Sequence, residues 1–309
     1  MSNKALLELR GLTKKFGART AVDSLDLSIR KGEIFGFLGP NGAGKSTTIR
    51  MILDVARPTS GSIRLFGMSN RRTPAAHRRI GYLSGDMVLD EDLTGRQYLD
   101  FVDSVYGGDR AERLNYRHHL AYELELEIDT KIARYSRGNR QKVGLVAAMM
   151  HNPDLLILDE PSSGFDPLIQ EVFIKLVQEY RQDGGTVFIS SHSLGEVQQL
   201  CNRVGFIREG KLAGVVAIDE LNRTAIKQIR VAADKRVLGE LARGAASLKG
   251  LTAQKIQPGT LNFTYSGGVR PLLVWLARYD LDDLTIREPE LDEVFMTYYQ
   301  RSTDQGSSE

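Results

Sequence analysis

Gly39-Pro40-Asn41-Gly42-Ala43-Gly44-Lys45-Ser46 has the spacing G-x-x-x-x-G-K-[ST], in which glycines let successive backbone N–H groups converge on a polyphosphate. Such a loop works between a buried strand and a helix, because the helix N-terminus adds positive potential where the phosphates sit. The sequence supplies both. Glu33-Ile34-Phe35-Gly36-Phe37-Leu38 reads as a buried strand ending at Gly39, and a helix is expected from Lys45. The phosphate-binding set is then Gly39, Pro40, Asn41, Gly42, Ala43, Gly44, Lys45, Ser46 and Thr47. Lys45 reaches the β and γ phosphates, and the Ser46 hydroxyl holds Mg²⁺.

Leu155-Leu156-Ile157-Leu158-Asp159-Glu160 reads as a second buried strand, ending in two carboxylates. Ligands bind at the C-terminal ends of strands in α/β sheets. Alone, an acidic pair there is more often a solvated strand end or a helix cap. Beside a phosphate loop it divides the work: Asp159 completes the metal shell and Glu160 activates the water that attacks the γ phosphate.

These residues need a framework to bring them together. Ile80 to Leu83, Leu155 to Leu158 and Thr186 to Ser190 are further buried-strand patterns separated by helical ones, the alternation of a mostly parallel α/β sheet. From Asp92 to His151 the pattern is helical throughout, with Thr94 and Ser136 as N-caps and Gly107-Gly108 as a break, so an all-helical insertion of about residues 92–151 is expected. Arg203 to Val216 reads as a two-stranded hairpin. A second unit begins near Thr224: strand Ala225 to Ala232, helix Lys235 to Arg243, strands Leu251 to Ile256 and Leu261 to Tyr265, helix Val269 to Tyr279 and strand Leu284 to Arg287. That βαββαβ order is the split βαβ of ferredoxin-like domains. A last helix from Leu291 to Tyr299 and a polar, disordered tail over residues 301–309 are expected after it.

Composition narrows the class. Hydrophobic residues at 41% and charged residues at 26% over 309 positions describe an ordinary globular protein with about two domains. A net charge of +2 lacks the broad basic footprint of a nucleic-acid binder. The one cysteine, Cys201, can form neither an intrachain disulfide nor a cysteine zinc site, which suits a reducing cytoplasm. Met1 to Leu9 has no apolar core followed by small residues, and no apolar run approaches the ~20 residues of a membrane span. The chain is expected neither to cross nor to enter a membrane.

With the phosphate loop and acidic pair in place, roughly Leu6 to Val216 resembles the nucleotide-binding subunit of ABC transporters. Tyr135-Ser136-Arg137-Gly138-Asn139-Arg140-Gln141-Lys142 is similar to the family's signature LSGGQ. On its own chemistry, Ser136 caps a helix whose N-terminus is a second phosphate site lacking a nucleotide of its own. The resemblance implies a P-loop NTPase fold, ATP and Mg²⁺ as ligands, and a head-to-tail homodimer in which Ser136 and Gly138 of one subunit touch the γ phosphate held by Lys45 of the other. It also implies that Asp166, in Ser163-Gly164-Phe165-Asp166-Pro167, lies at the dimer interface. His192 is implied to be the switch histidine reporting on the γ phosphate, and Phe16 to stack on adenine. The architecture implied is an ATPase domain over 1–222 with its helical insertion, and an accessory α+β domain over 224–300.

Ile80 to Asp103, with Leu93 to Leu99 within it, and Glu288 to Phe295 further resemble exporters whose membrane part is a separate polytopic protein, many of which move drugs, lipids, antibiotics or polysaccharides outward. The resemblance therefore implies ATP hydrolysis at the cytoplasmic face of the membrane, with no nucleic-acid partner. Two departures stand out. Gly85 occupies the place of a glutamine that normally senses the metal, leaving Asp86 or water to substitute, or coupling there to run through backbone alone. Arg137 stands where glycine is usual, either as an added cation near the phosphates or as a solvent-facing side chain. Soluble relatives that remodel nucleic acid or ribosomes usually carry long coiled coils or two cassettes in one chain, and neither is present here. A regulatory module with little hydrolysis is disfavoured by the intact Lys45, Asp159, Glu160 and His192.

Overall fold

The computed structural model describes residues 5–71, 73–106, 109–224 and 227–287. They form two compact units that divide between Val215 and Val216.

In the first unit, β1 (Ala5–Phe16) and β2 (Arg19–Arg30) make an antiparallel hairpin. Alternate side chains such as Leu7, Leu9, Leu25, Leu27 and Ile29 are buried on its inner face. β3 (Ile34–Leu38) is buried at every position and feeds the phosphate loop, and α1 (Lys45–Ile52) follows it. β4 (Ser60–Leu65) and β5 (Met68–Ser69) extend the hairpin into a four-stranded sheet of order β2-β1-β4-β5. This antiparallel sheet stands beside the mostly parallel one expected from the sequence. Short α2 (Pro74–His77) leads to β6 (Ile80–Leu83).

α3 (Gly95–Asp103), α4 (Arg110–Glu123) and α5 (Arg137–Met149) make up the helical stretch. The anticipated caps are present: Thr94 forms a capping box with Gln97, and Ser136 Oγ accepts from the Asn139 N–H. The proposed break at Gly107-Gly108 lies outside the described residues. Then come β7 (Leu155–Asp159), α6 (Pro167–Gln182), β8 (Thr186–Ser191), α7 (Leu194–Leu200), β9 (Arg203–Arg208) and β10 (Lys211–Ala217). The six-stranded sheet has the order β10-β9-β3-β8-β7-β6, with β9-β3-β8-β7-β6 parallel. Parallel sheets are covered on both faces, so β3, β7 and β8 are buried throughout. Phe188 stacks on Phe35 with ring centroids 6.1 Å apart and meets Phe37 at 5.4 Å. Strand register fixes what meets at the sheet's C-terminal edge, with Leu38 beside Ser191 and Asp159 beside Ser190.

Buried charge holds the helical stretch. Burial pushes the Asp103 carboxyl up, and bonds from Arg113 and Arg110 more than offset this, holding it below the usual range. Next to this cluster His151 stacks on Tyr106 with centroids 3.9 Å apart. Burial pushes its imidazole down to about 4. A histidine buried neutral stabilises the fold fully above its unfolded value of about 6.5, and that stability is lost as pH falls from there towards about 4, a total of about 3 kcal/mol. His151→Phe, which keeps a ring on Tyr106, is expected to flatten this loss. Urea denaturation at pH 7 and pH 4.5 reads the difference, and an equal pH dependence in the two proteins would contradict it.

The second unit contains α8 (Ile218–Thr224), β11 (Lys227–Ala232), α9 (Lys235–Gly244), β12 (Leu251–Gln257), β13 (Thr260–Tyr265), α10 (Val269–Leu276) and β14 (Asp283–Arg287). After α8, which the sequence reading did not foresee, the order is βαββαβ. The sheet runs β12-β13-β11-β14 with antiparallel neighbours. Ile229, Val231, Leu261, Phe263 and Leu241 share its core with Leu272 and Trp275. The expected start of the first strand at Ala225, the helix Leu291 to Tyr299 and the tail 301–309 lie outside the described residues. Among the described residues, no helix is long and apolar enough to cross a membrane.

Candidate active site

Between β3 and α1 the chain must turn sharply without obstructing a ligand. Gly44 does so at φ 110, where a Cβ would sit 2.6 Å from the Ala21 carbonyl oxygen. As N-cap of α1 it offers no side chain to the first turn, so the helix presents its leading N–H groups to whatever occupies the loop. Asn41, Gly42, Gly44, Lys45, Ser46 and Thr47 line a cavity of about 370 Å³ together with Phe16 and Glu160. Gly39 and Pro40 serve differently: their carbonyls accept from Lys45 Nζ at 2.7 and 3.2 Å. Ala43 is buried in the core and lines neither this cavity nor its neighbour.

Lys45 is only 5% exposed, and its ammonium also pairs with Glu160 Oε1 at 3.2 Å. The other oxygen of Glu160 lies 3.2 Å from His192 Nδ1. Lysine, glutamate and histidine therefore form one continuous polar chain at the sheet edge, Lys45 from the start of α1 and Glu160 and His192 from just past the ends of β7 and β8. Glu160 adopts φ 48, a left-handed backbone that is uncommon for a side chain of this size. Its N–H donates to the Ser190 carbonyl and hydroxyl, each at 3.1 Å. The hydroxyl of Ser190 donates in turn to Asp159 Oδ1 at 2.5 Å. Behind His192, Ser191 Oγ donates to the buried carboxylate of Glu196 at 2.5 Å.

A second cavity of about 300 Å³ is lined by Ser46, Asp159 and Glu160 together with Gly85, Asp86 and Arg137. Ser46, Asn41 and Glu160 border both cavities. A hydroxyl and a carboxylate facing one space are hard oxygen donors with room for water, the set that Mg²⁺ accepts. Among the described residues no group of three or more His, Cys, Asp or Glu side chains gathers around a metal. Phosphate and water would supply the remaining ligands, as is usual for Mg²⁺.

Phe16, 56% exposed at the tip of the β1–β2 hairpin, presents a bare ring at the mouth of the first cavity, with the Lys14 ammonium 4.9 Å from its centroid. Ser136, Gly138 and Asp166 are not brought into either cavity of their own chain. Asp166 instead caps α6, accepting from the Ile169 N–H at 3.0 Å. Sequence reasoning missed Ser190, Ser163 and Gln141. The run Ser190-Ser191 at the end of a strand was a readable signal for the first. Ser163 closes Glu160's turn three residues on, and Gln141 touches that turn through a tertiary contact that no spacing announces.

Residues 22–163 match the family described as ABC transporter. The bacitracin transport ATP-binding protein BcrA of Bacillus licheniformis is 36% identical over 71% of this chain and 72% of its own length. The linearmycin resistance ATP-binding protein LnrL of Bacillus subtilis is 30% identical over 94% of this chain and 97% of its own. A solved ATP-binding subunit of an ABC transporter superposes with a TM-score of 0.66 at 30% identity, covering 71% of this chain and 92% of that one.

Proposed function

Because the chain belongs to the ABC transporter family of ATP-binding proteins, we propose that it is the ATP-hydrolysing subunit of an exporter whose membrane part is a separate polytopic protein. The observation that carries this reading is the Lys45–Glu160–His192 chain at the mouth of an uncapped helix N-terminus, with Asp159 fixed beside it. Relatives named for bacitracin transport and linearmycin resistance support outward movement of an antibiotic-like substrate.

ATP enters the cavity with adenine on Phe16 and its phosphates on the N–H groups of Gly42 to Thr47, with Lys45 neutralising their charge. Ser46 and Asp159 would hold Mg²⁺, which supplies charge neutralisation on the β and γ oxygens. Glu160 accepts the proton of a water attacking the γ phosphorus. The bond from that phosphorus to the β–γ bridging oxygen breaks, and ADP and phosphate leave. His192 holds the carboxylate of Glu160 towards the water and hydrogen-bonds the γ phosphate. Gly85 brings only backbone against Asp159, so Asp86, on the same cavity, stands in for the missing amide side chain.

The site is completed in a head-to-tail dimer. Ser136 and Gly138 stand at the start of α5, outside the two cavities described above, and they meet the γ phosphate of the partner's nucleotide. Asp166 lies along the same interface. Closure on ATP and reopening after hydrolysis drive the membrane subunit from the cytoplasmic face. The first unit, up to Val215 rather than the expected residue 222, is the ATPase domain, and the second unit is an accessory domain that regulates or stabilises the dimer.

Two measurements test this. A mixture of a Ser136→Arg chain and a Lys45→Met chain, each inactive alone, is expected to regain about one working site per mixed dimer; no rescue would refute the shared site. The tagged chain is expected to copurify with a polytopic protein from detergent-solubilised membranes, and recovery wholly in the soluble fraction would refute the transport role.

A further inference from the structure

Three contacts from one end of α5 bear on the turn that carries Glu160. Gln141, 5% exposed, donates from Nε2 to the Glu160 carbonyl at 3.4 Å. Arg137, one helical turn earlier and therefore on the same face, donates from Nη2 to Ser163 Oγ at 2.6 Å. Between them Gly138 approaches Gly164 so closely that a Cβ would lie 2.7 Å from its carbonyl oxygen. The turn is closed by the Ser163 N–H on the Glu160 carbonyl at 3.3 Å. A left-handed glutamate persists only where its surroundings over-determine it. Here the restraint comes from β8 on one side, through Ser190, and from α5 on the other.

We propose that Arg137, acting through Ser163, is a positioning residue for Glu160 and couples the phosphate contact at the start of α5 to the base of the chain's own site. This rests on the proposed role of Glu160. Arg137 and Gln141 lie one turn apart on the helix that Ser136 caps, so a phosphate seated on that N-terminus fixes both together. They in turn fix the Ser163 and Glu160 ends of the turn. Arg137 also borders the cavity that Asp159 and Glu160 line. Glycine, the family's usual residue at this place, could make neither contact. The coupling is thus a property of this sequence: Arg137 is solvent-exposed, as one of its two readings has it, and is also bonded to Ser163.

The experiment is steady-state hydrolysis by the full chain carrying Arg137→Met, Ser163→Ala, both together, and Arg137→Lys. Wild type and Glu160→Gln are measured first. A wild type that neither binds nor hydrolyses ATP would overturn the functional reading itself. With an active wild type, Arg137→Met and Ser163→Ala are each expected to lower kcat about tenfold and to leave KM for ATP within about twofold. The double variant is expected to lose no more than the worse single one, and the Hill coefficient for ATP to fall towards one. Arg137→Lys, which keeps a donor, is expected to recover part of kcat. Ser163→Ala removes a single hydroxyl and guards against misfolding as the explanation. Unchanged kcat in both single variants, a rise in KM in place of the fall in kcat, or losses that multiply in the double variant would each overturn the coupling while leaving the ATPase assignment intact.

Discussion

Glu160→Gln is expected to bind ATP within about threefold of wild type and to hydrolyse it about a thousandfold more slowly, the range a general base supplies. The substitution keeps shape and hydrogen-bonding reach but removes the atom that can take a proton from water. Its backbone geometry should survive, because the left-handed turn is held by the Ser190 carbonyl and hydroxyl and by Gln141, none of which contacts the carboxylate. The amide can still accept from Lys45 and meet His192, so the polar chain closes without its charge. Nucleotide titration and phosphate release on the same preparation separate the two effects. Turnover equal to wild type would remove Glu160 from the base role, and lost binding would assign it to the phosphate cradle.

Lys45→Met is expected to weaken ATP binding about a hundredfold, close to 3 kcal/mol, the scale of a desolvated charge-assisted contact. The site makes this side chain costly to replace. Its ammonium is nearly enclosed, two loop carbonyls accept from it, and its third partner is the carboxylate of Glu160. Methionine fills a similar volume and offers no donor, leaving the buried Gly39 carbonyl without this donor and Glu160 without its cation. A fluorescent-nucleotide titration reads the affinity, and a thermal melt checks that the fold remains. Tight binding by the variant would mean that the ground-state contact with Glu160, rather than phosphate, is the main use of Lys45.

The phosphate loop was legible because its chemistry is local. Five consecutive buried residues, then glycines and a lysine at fixed offsets, permit few structures, and β3, the loop and α1 lie where that pattern puts them. The same holds for β7 with its terminal carboxylates and for the caps at Thr94 and Ser136, where side chain and backbone partners are three residues apart. The βαββαβ order of the second unit was also readable, since alternation and helical period switch cleanly along it. Helix α8 escaped notice, lying where a hairpin reading ran into an expected boundary. The antiparallel pairing of β1 with β2 and β4 also escaped it, because period-two alternation marks a strand without naming its neighbour.

By itself the sequence determined which groups could do chemistry: a lysine on a glycine loop, an acid pair, a histidine after a serine run, an aromatic near the N-terminus. Only the tertiary structure decided that Lys45, Glu160 and His192 form one chain, that Ser190 ties Asp159 to the backbone of Glu160, and that Arg137 ends on Ser163. The physical reason is register. These contacts join residues distant in sequence, and for the first two the parallel pairing of β3, β8 and β7 decides which residues stand side by side, a register that no local spacing encodes.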